Sequence, residues 1–322
     1  MGDAPSPSIH AHELHAVDDN AARAFVDDVF GSSDEWQPLL IKYRLAAAEQ
    51  ADWKAEVGHW LRTADRLGFL ENVLKRALDR AKSPPPEVVR PVLDANDPHH
   101  RVLAQELAPA MATHYFVGTG WAFDAWDPIT GGGVDVDVSL HAPGGPRVLL
   151  QVKAPDQPGY VICHRRVDGE YDDRVLGQIA KGATQLPSSA TEATLIVVSA
   201  NRISSLAANP RCVVVDLIGS SLQEGSGIRI PQANRGKFWR PEWKHVSGVV
   251  LLDYLRGQTE RGVDEFKYCC TVLPNPTADV QVEAEWFPRA RVCVLEGSTF
   301  RWVRGAPGIS HTLPDGTRLT EG

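Results

Sequence analysis

Apolar residues recur at helical spacing in three N-terminal segments: Leu14, Val17, Ala21, Phe25 and Val29; Trp53, Val57, Trp60, Leu61 and Ala64; Phe69, Leu70, Val73, Leu74 and Leu78. Residues three and four apart share one face of a helix, so each segment predicts an amphipathic helix with a buried stripe. Gly31-Ser32-Ser33-Asp34 reads as a helix stop followed by a new N-cap, and Gly68 interrupts the later stretch, so four or five short helices are expected. Ser83-Pro84-Pro85-Pro86 ends the run, because successive prolines cannot continue a helix and favour an extended spacer. The pattern predicts a small all-α helical bundle over residues 1–85 and a second domain over residues 86–322.

Beyond Pro86 the period changes. A helical segment from about Val88 to Tyr115, broken near Pro91 and Pro109, leads into short β-type runs: Val134 to Leu140, Val148 to Val152, Thr194 to Ser199, Cys212 to Ile218, Val246 to Tyr254, Tyr268 to Leu273 and Arg291 to Val294. A helix is expected from about Asp172 to Leu186, between the second and third of these strands. Helix, strand, strand, helix, strand is the order of an α/β sheet with helices packed on it, and the later strands extend or cap that sheet. No internal repeat or low-complexity tract interrupts the order.

Composition narrows the class. The chain has 322 residues, 43% of them hydrophobic and 23% charged, with a formal net charge of −8. No stretch approaches about 18 consecutive apolar residues, and the start MGDAPSPSIH has neither a basic region nor an apolar core. A cytoplasmic protein with no membrane span is expected. Charge does not separate the two parts, and the acidic balance argues against coating nucleic acid through bulk charge, though not against a local basic groove. Cys163, Cys212, Cys269, Cys270 and Cys293 are odd in number with no C-x-x-C pair, which argues against a disulfide framework or structural zinc site and predicts reduced core residues.

Candidate chemistry concentrates in Gly131-Gly132-Gly133-Val134-Asp135-Val136-Asp137-Val138 and in Arg147-Val148-Leu149-Leu150-Gln151-Val152-Lys153. In the first strand the valines alternate onto one face, which places Asp135 and Asp137 together on the other. In the second, Leu150 and Val152 point one way while Gln151 and Lys153 point the other. If the strands are neighbours, carboxylate, amide oxygen and ammonium meet at one spot. Asp and Gln oxygens suit a hard cation such as Mg²⁺, for which Mn²⁺ can substitute, and a nearby Lys can orient or deprotonate an attacking water, which is what phosphodiester hydrolysis requires.

An acidic strand residue followed by (D/E/Q)-x-K on the neighbouring strand, then a helix and an apolar strand, resembles the PD-(D/E)XK nuclease superfamily. The Gly-rich approach to Asp135 and the Gln of Gln151-Val152-Lys153 look most like its Mrr-like restriction endonuclease branch. The resemblance covers roughly residues 95–275. It implies a restriction-endonuclease-like α/β core, a mixed sheet flanked by helices, acting as a Mg²⁺-dependent DNA endonuclease. Asp135, Asp137 and Gln151 are its candidate metal ligands and Lys153 its catalytic lysine. The glycine approach favours Asp135 as the ligand and the shorter gap to Gln151 favours Asp137, so both are carried. Glu106, before the first strand, stands where many members place an additional acid. Gln151 departs from the commoner Glu, and a neutral amide is a weaker Mg²⁺ ligand unless another carboxylate helps.

Arg174, Gln178, Lys181 and Gln185 form one polar stripe on the following helix, opposite Val175, Leu176, Ile179, Ala183 and Leu186. The resemblance makes this the helix that faces the active site and DNA. Two basic and aromatic regions are candidate nucleic-acid contacts: Arg229, Arg235, Lys237, Phe238, Trp239, Arg240, Trp243 and Lys244; and Trp286, Phe287, Arg289, Arg291, Phe300, Arg301, Trp302 and Arg304. The chain lacks G-x-x-x-x-G-K-(S/T), G-x-S-x-G and H-E-x-x-H, so NTPase, serine hydrolase and zinc protease readings have no anchor. The N-terminal helices carry no clustered acids, His or Cys and resemble a bacterial effector-associated, death-fold-like adaptor domain. That implies self-association or a protein partner, and a role as a restriction or anti-phage effector. The competing expectation is a catalytically silent nuclease-like module that binds nucleic acid or acts as a scaffold.

Overall fold

Short apolar runs between residues 122 and 304 assemble into a nine-stranded mixed sheet. The computed structural model describes residues 19–30, 53–69, 108–128, 130, 136–155, 174–188, 191–199, 210–219, 228–229, 235–258, 264–296, 299–304, 311–312 and 318–319. The strands are β1 (Ala122–Trp126), β2 (Val138–His141), β3 (Arg147–Lys153), β4 (Ala193–Ser199), β5 (Ile228–Arg229), β6 (Gly248–Gln258), β7 (Asp264–Pro274), β8 (Arg291–Glu296) and β9 (Thr299–Arg304), in the order β1-β2-β3-β4-β6-β7-β8-β9-β5. β1, β2 and β3 are antiparallel neighbours, whereas β3, β4 and β6 run parallel. The remaining pair, β10 (His311–Thr312) and β11 (Arg318–Leu319), stands apart from this sheet.

Helices cover both faces. Val138, Leu140, Val148, Leu150, Val152, Leu195 and Val197 share one core with Met111 and Phe116 of α3 (Ala108–Gly118) and Trp60 and Leu61 of α2 (Trp53–Arg66). On the other face Ile196, Val198, Val249 and Leu251 pack with Val175, Leu176 and Ile179 of α4 (Arg174–Thr184) and with Val213 and Leu217 of α5 (Arg211–Ile218). The central strands are therefore apolar on both sides, the pattern a covered parallel sheet requires.

The N-terminal helices α1 (Asp19–Phe30) and α2 fall where their apolar spacing places them. The third expected segment, beyond Phe69, and the expected boundary near residue 85 lie outside the described residues. α2 packs on α3, and its core is continuous with that of the sheet. Trp126 Nε1 donates to the Leu67 carbonyl over 2.8 Å, and Phe69 meets the Trp126 ring edge-on with centroids 4.9 Å apart.

The structure departs from the sequence pattern at two elements. Cys212 to Ile218 is helix, not strand. A short, fully buried apolar run reads alike in either state; here Val214 N–H bonds the Pro210 carbonyl and Gly219 ends the turn at φ 109°. Pro109 lies in the first turn of α3, which starts at Ala108 and where a missing N–H costs nothing; the segment expected before it, from about Val88, lies outside the described residues. β1 was not expected, because Asp124 interrupts it; a register irregularity between Phe123 and Ala125 accommodates that residue.

α1 and α2 touch backbone to backbone at Gly58, where an added Cβ would sit 2.2 Å from the Ala22 carbonyl oxygen. Alanine normally favours a helix over glycine by about 1 kcal/mol. Here Gly58→Ala is expected to lower stability by about 1–3 kcal/mol through overpacking, seen as a lower urea midpoint. An unchanged or raised midpoint would contradict this helix contact.

Candidate functional site

β2 begins at Val138, and Asp137 just before it is tied to both neighbouring strands. Its N–H donates to the Leu150 carbonyl over 3.1 Å, and its carbonyl accepts from Asp127 N–H over 3.0 Å. Regular pairing of β2 with β3 runs from His141↔Arg147 to Val138↔Leu150, so the ladder stops short of Val152. The Asp137 side chain takes over there. Its Oδ2 accepts from Val152 N–H over 2.5 Å and from Gln151 Nε2 over 2.7 Å.

Gln151 is 3% exposed, and its Oε1 is buried with no hydrogen-bond partner. The amide orientation that satisfies Asp137 thus leaves a carbonyl oxygen beside it unsatisfied, a cost of about 1–3 kcal/mol unless a cation or water fills the position. Carboxylate and amide oxygens are the ligands that Mg²⁺ or Mn²⁺ prefers, so these two side chains fit such an ion. Among the described residues no three His, Cys, Asp or Glu side chains form a metal-binding group.

Lys153, the last residue of β3, is half-buried on the α4 side of the sheet. Gln151 and Lys153 pair with Ile196 and Val198, both of which pack against α4. Gly182 allows that approach: a Cβ there would lie 3.0 Å from Ile196 Cγ2 and 3.4 Å from Lys153 Cε. Gln178, one helical turn earlier, is half-buried and Lys181 is exposed, while Val175, Leu176, Ile179 and Ala183 are buried. Arg174 opens the helix. The structure thus brings Asp137, Gln151 and Val152 into direct contact and sets Lys153 against the helix that carries Gln178 and Lys181. Asp135 and Glu106 lie outside the described residues.

Lys237 and Arg240 belong elsewhere. Their segment enters β6 at the end of the sheet where β4 begins, fixed by Ser247 N–H on the Thr194 carbonyl (2.9 Å) and by the buried Asn275 amide on the Trp243 and Val246 carbonyls (2.9 and 2.8 Å). Lys237 Nζ is 2.6 Å from Asp216 Oδ2, whereas Arg240 is exposed. Arg235 stacks over Trp239 at 4.2 Å and Arg291 over Trp302 at 4.4 Å, while Arg301 bonds Glu296. Both basic and aromatic regions thus engage much of their charge in internal contacts.

Cys270 and Cys293 are buried thiols outside any disulfide, as expected, and burial pushes the Cys293 thiol up to about 12 against the opposing charge of Arg291. A thiol held that high is no nucleophile. Cys212, expected to be reduced, is disulfide-bonded. An odd count and absent C-x-x-C constrain only local pairs, so sequence spacing carried no mark of this bond.

A network missed by sequence reasoning crosses β1, β2 and β3. Arg147 Nε and Ser139 Oγ each donate to Asp124 Oδ2 over 2.6 Å, and Arg147 Nη1 reaches Glu192 over 3.1 Å. Isolated charges on separate strands gave no signal of it. Nor was Asp127 singled out, although the Asp-Pro pair at 127–128 marks a turn.

No family model, curated protein or solved structure matches the chain. Among the described residues no helix is long and apolar enough to cross a membrane.

Burial by itself would raise the Asp124 pKa, but hydrogen bonds from Ser139 and Arg147, with the charges of Arg147 and His141, lower it overall. A carboxylate depressed in the folded state stabilises the fold above its unfolded pKa of about 3.9, and that contribution is lost as pH falls through the folded value. Solvent screening limits the contribution to about 0.5–1 kcal/mol. Asp124→Asn should therefore lower the neutral-pH unfolding free energy by that amount, with the deficit shrinking below about pH 4. A deficit independent of pH in urea titrations would contradict the assignment.

Proposed function

We propose that the chain is a Mg²⁺-dependent DNA endonuclease with a restriction-endonuclease-like core, and that Asp137, Gln151 and Lys153 carry its chemistry. The observation behind this reading is the contact of the Asp137 carboxylate with the Gln151 amide, with Lys153 two residues on and the Gln151 carbonyl oxygen buried and unsatisfied. The order α3-β1-β2-β3-α4-β4 contains the helix, two neighbouring strands, helix and further strand that the sequence resemblance implies, with β1 as an added strand.

Asp137 and Gln151 would hold the divalent ion, with Asp135 and Glu106 as further acidic candidates. When bound, the ion supplies a Lewis acid that draws charge from the phosphate and lowers the pKa of a coordinated water. Lys153 holds the attacking water or a phosphate oxygen at its ammonium, and its packing against Gly182 limits where that ammonium can reach. Water adds to phosphorus, one phosphorus–oxygen bond breaks, and the departing oxygen takes up a proton. Gln178, Lys181 and Arg174, all on α4, would contact the DNA backbone. The N-terminal helices would couple partner binding or self-association to this core through the packing of α2 on α3, as an effector in restriction or anti-phage defence requires. Such an effector would act in the cytoplasm.

One observation favours a silent, nucleic-acid-binding or scaffold role instead. The two donors on Asp137 Oδ2 also serve to close the end of the β2–β3 ladder, which needs no cation. The two readings separate in a cleavage assay on supercoiled, linear and single-stranded DNA with Mg²⁺ or Mn²⁺. The nuclease reading expects metal-dependent cleavage that falls by about 100-fold or more in Lys153→Ala and in Asp137→Ala. Cleavage that persists in both variants would contradict it. Absence of cleavage by the wild type, together with no Mn²⁺ binding, would favour the silent module.

A further inference from the structure

Asp137 lies just before β2, so its backbone depends on bonds from neighbouring segments. Its carbonyl accepts from Asp127 N–H over 3.0 Å, a bond made one residue past the end of β1. β1 stands at the edge of the described sheet, paired with β2, and its register slips between Phe123 and Ala125. Ala125↔Ser139 and Trp126↔Val138 are what remains of the ladder at the end from which Asp127 reaches Asp137. An edge-strand end with so few backbone bonds opens easily unless a side chain anchors it.

Trp126 is that anchor. It is buried in the core on the α3 side, with Phe123 at 5.0 Å between ring centroids and the fully buried Phe69 edge-on at 4.9 Å. Its Nε1 donates over 2.8 Å to the carbonyl of Leu67, in the turn that ends α2. The last carbonyls of a helix have no partner inside it, so an indole N–H brought to one ties the helix end to the strand that carries the indole. Phe69 reinforces the tie from the same segment. The end of α2 and the backbone that fixes Asp137 are thus joined through Trp126.

We propose that Trp126 is a positioning residue for Asp137: it carries the position of the N-terminal helices into the β1–β2 end, and so to the carboxylate that holds Gln151 and Val152. A displacement of the α2 end then reaches the candidate ion site without any contact to it. The consequence for the ion rests on the site reading given above, whereas the link from Leu67 to Asp137 does not.

The test pairs two variants of the full-length protein, each of which removes one indole N–H from a backbone carbonyl at 2.8 Å. Trp126→Phe breaks the bond to Leu67, whereas Trp121→Phe breaks the bond from Trp121 Nε1 to the Trp286 carbonyl, in the same core but at the opposite end of β1. Amide hydrogen exchange is read at Asp127 N–H and Val152 N–H, the donors to the Asp137 carbonyl and carboxylate. In Trp126→Phe both amides should exchange about three- to tenfold faster, the scale of one lost hydrogen bond, and Mn²⁺ followed by electron paramagnetic resonance should bind more weakly by a similar factor. Trp121→Phe should leave both readouts at their wild-type values. Phe69→Leu loosens the same tie from the N-terminal side while keeping the indole donor; it should act in the same direction, and it decides the matter if Trp126→Phe loses cooperative unfolding. Wild-type exchange at both amides in Trp126→Phe and Phe69→Leu, or equal acceleration in Trp121→Phe, would overturn the role of Trp126. Acceleration in Trp126→Phe and Phe69→Leu but not in Trp121→Phe, with no Mn²⁺ bound by the wild type, would sustain the link and overturn the reading of Asp137 as an ion ligand.

Discussion

The carboxylate of Asp137 holds together the end of the sheet on which the functional reading depends. Where the β2–β3 ladder stops, its Oδ2 receives the main-chain N–H of Val152 and the side-chain amide of Gln151. Taking a carboxylate part-way out of water is costly, and charge-assisted bonds from two donors offset the cost. The bond from its Nε2 holds the Gln151 amide beside Asp137 and leaves its Oε1 buried without a hydrogen-bond partner. Removing the carboxylate would leave Val152 N–H without its acceptor and Gln151 without an anchor, so strand pairing and candidate chemistry would be lost together.

The surrounding fold buries the central strands on both faces. Both faces of β3, β4 and β6 are sealed by apolar side chains, α2 and α3 on one side, α4 and α5 on the other. Buried polar groups on β2, β3 and β4 sit at positions with partners. Thr194 bonds the His245 carbonyl, Ser139 bonds Asp124, and Gln151 bonds Asp137. Gln151 differs from the other two in keeping an unsatisfied atom, and Lys153 sits two residues along the same face with its stem on Gly182.

Much of this was legible in the sequence. Strict alternation over Val134 to Val138 and Leu150 to Lys153 placed Asp137, Gln151 and Lys153 on one face, and the register of β2, β3 and β4 agrees. The helical stripe after Lys153 was equally clear, because Val175, Leu176 and Ile179 follow the 3.6-residue period that α4 buries. Period fails where a run is short and apolar on all sides, which is why Cys212 to Ile218 read as strand and folds as α5. It also says nothing about contacts distant along the chain. The disulfide at Cys212, the Asp124–Arg147–Glu192 network and the meeting of Asp127 with Asp137 are all of that kind. In the basic and aromatic clusters, composition marks Lys237 as a candidate nucleic-acid contact but carries no sign of its pairing with Asp216.

The most direct test of a cation site at Asp137 and Gln151 is diffraction from crystals grown with Mn²⁺, located by its anomalous scattering. The account predicts an anomalous peak about 2.0–2.3 Å from a carboxylate oxygen of Asp137 and from Gln151 Oε1. A saturating Mn²⁺ concentration that leaves no peak there, with the Gln151 amide still bonded to Asp137, would show the pair to be a strand clasp and contradict the account.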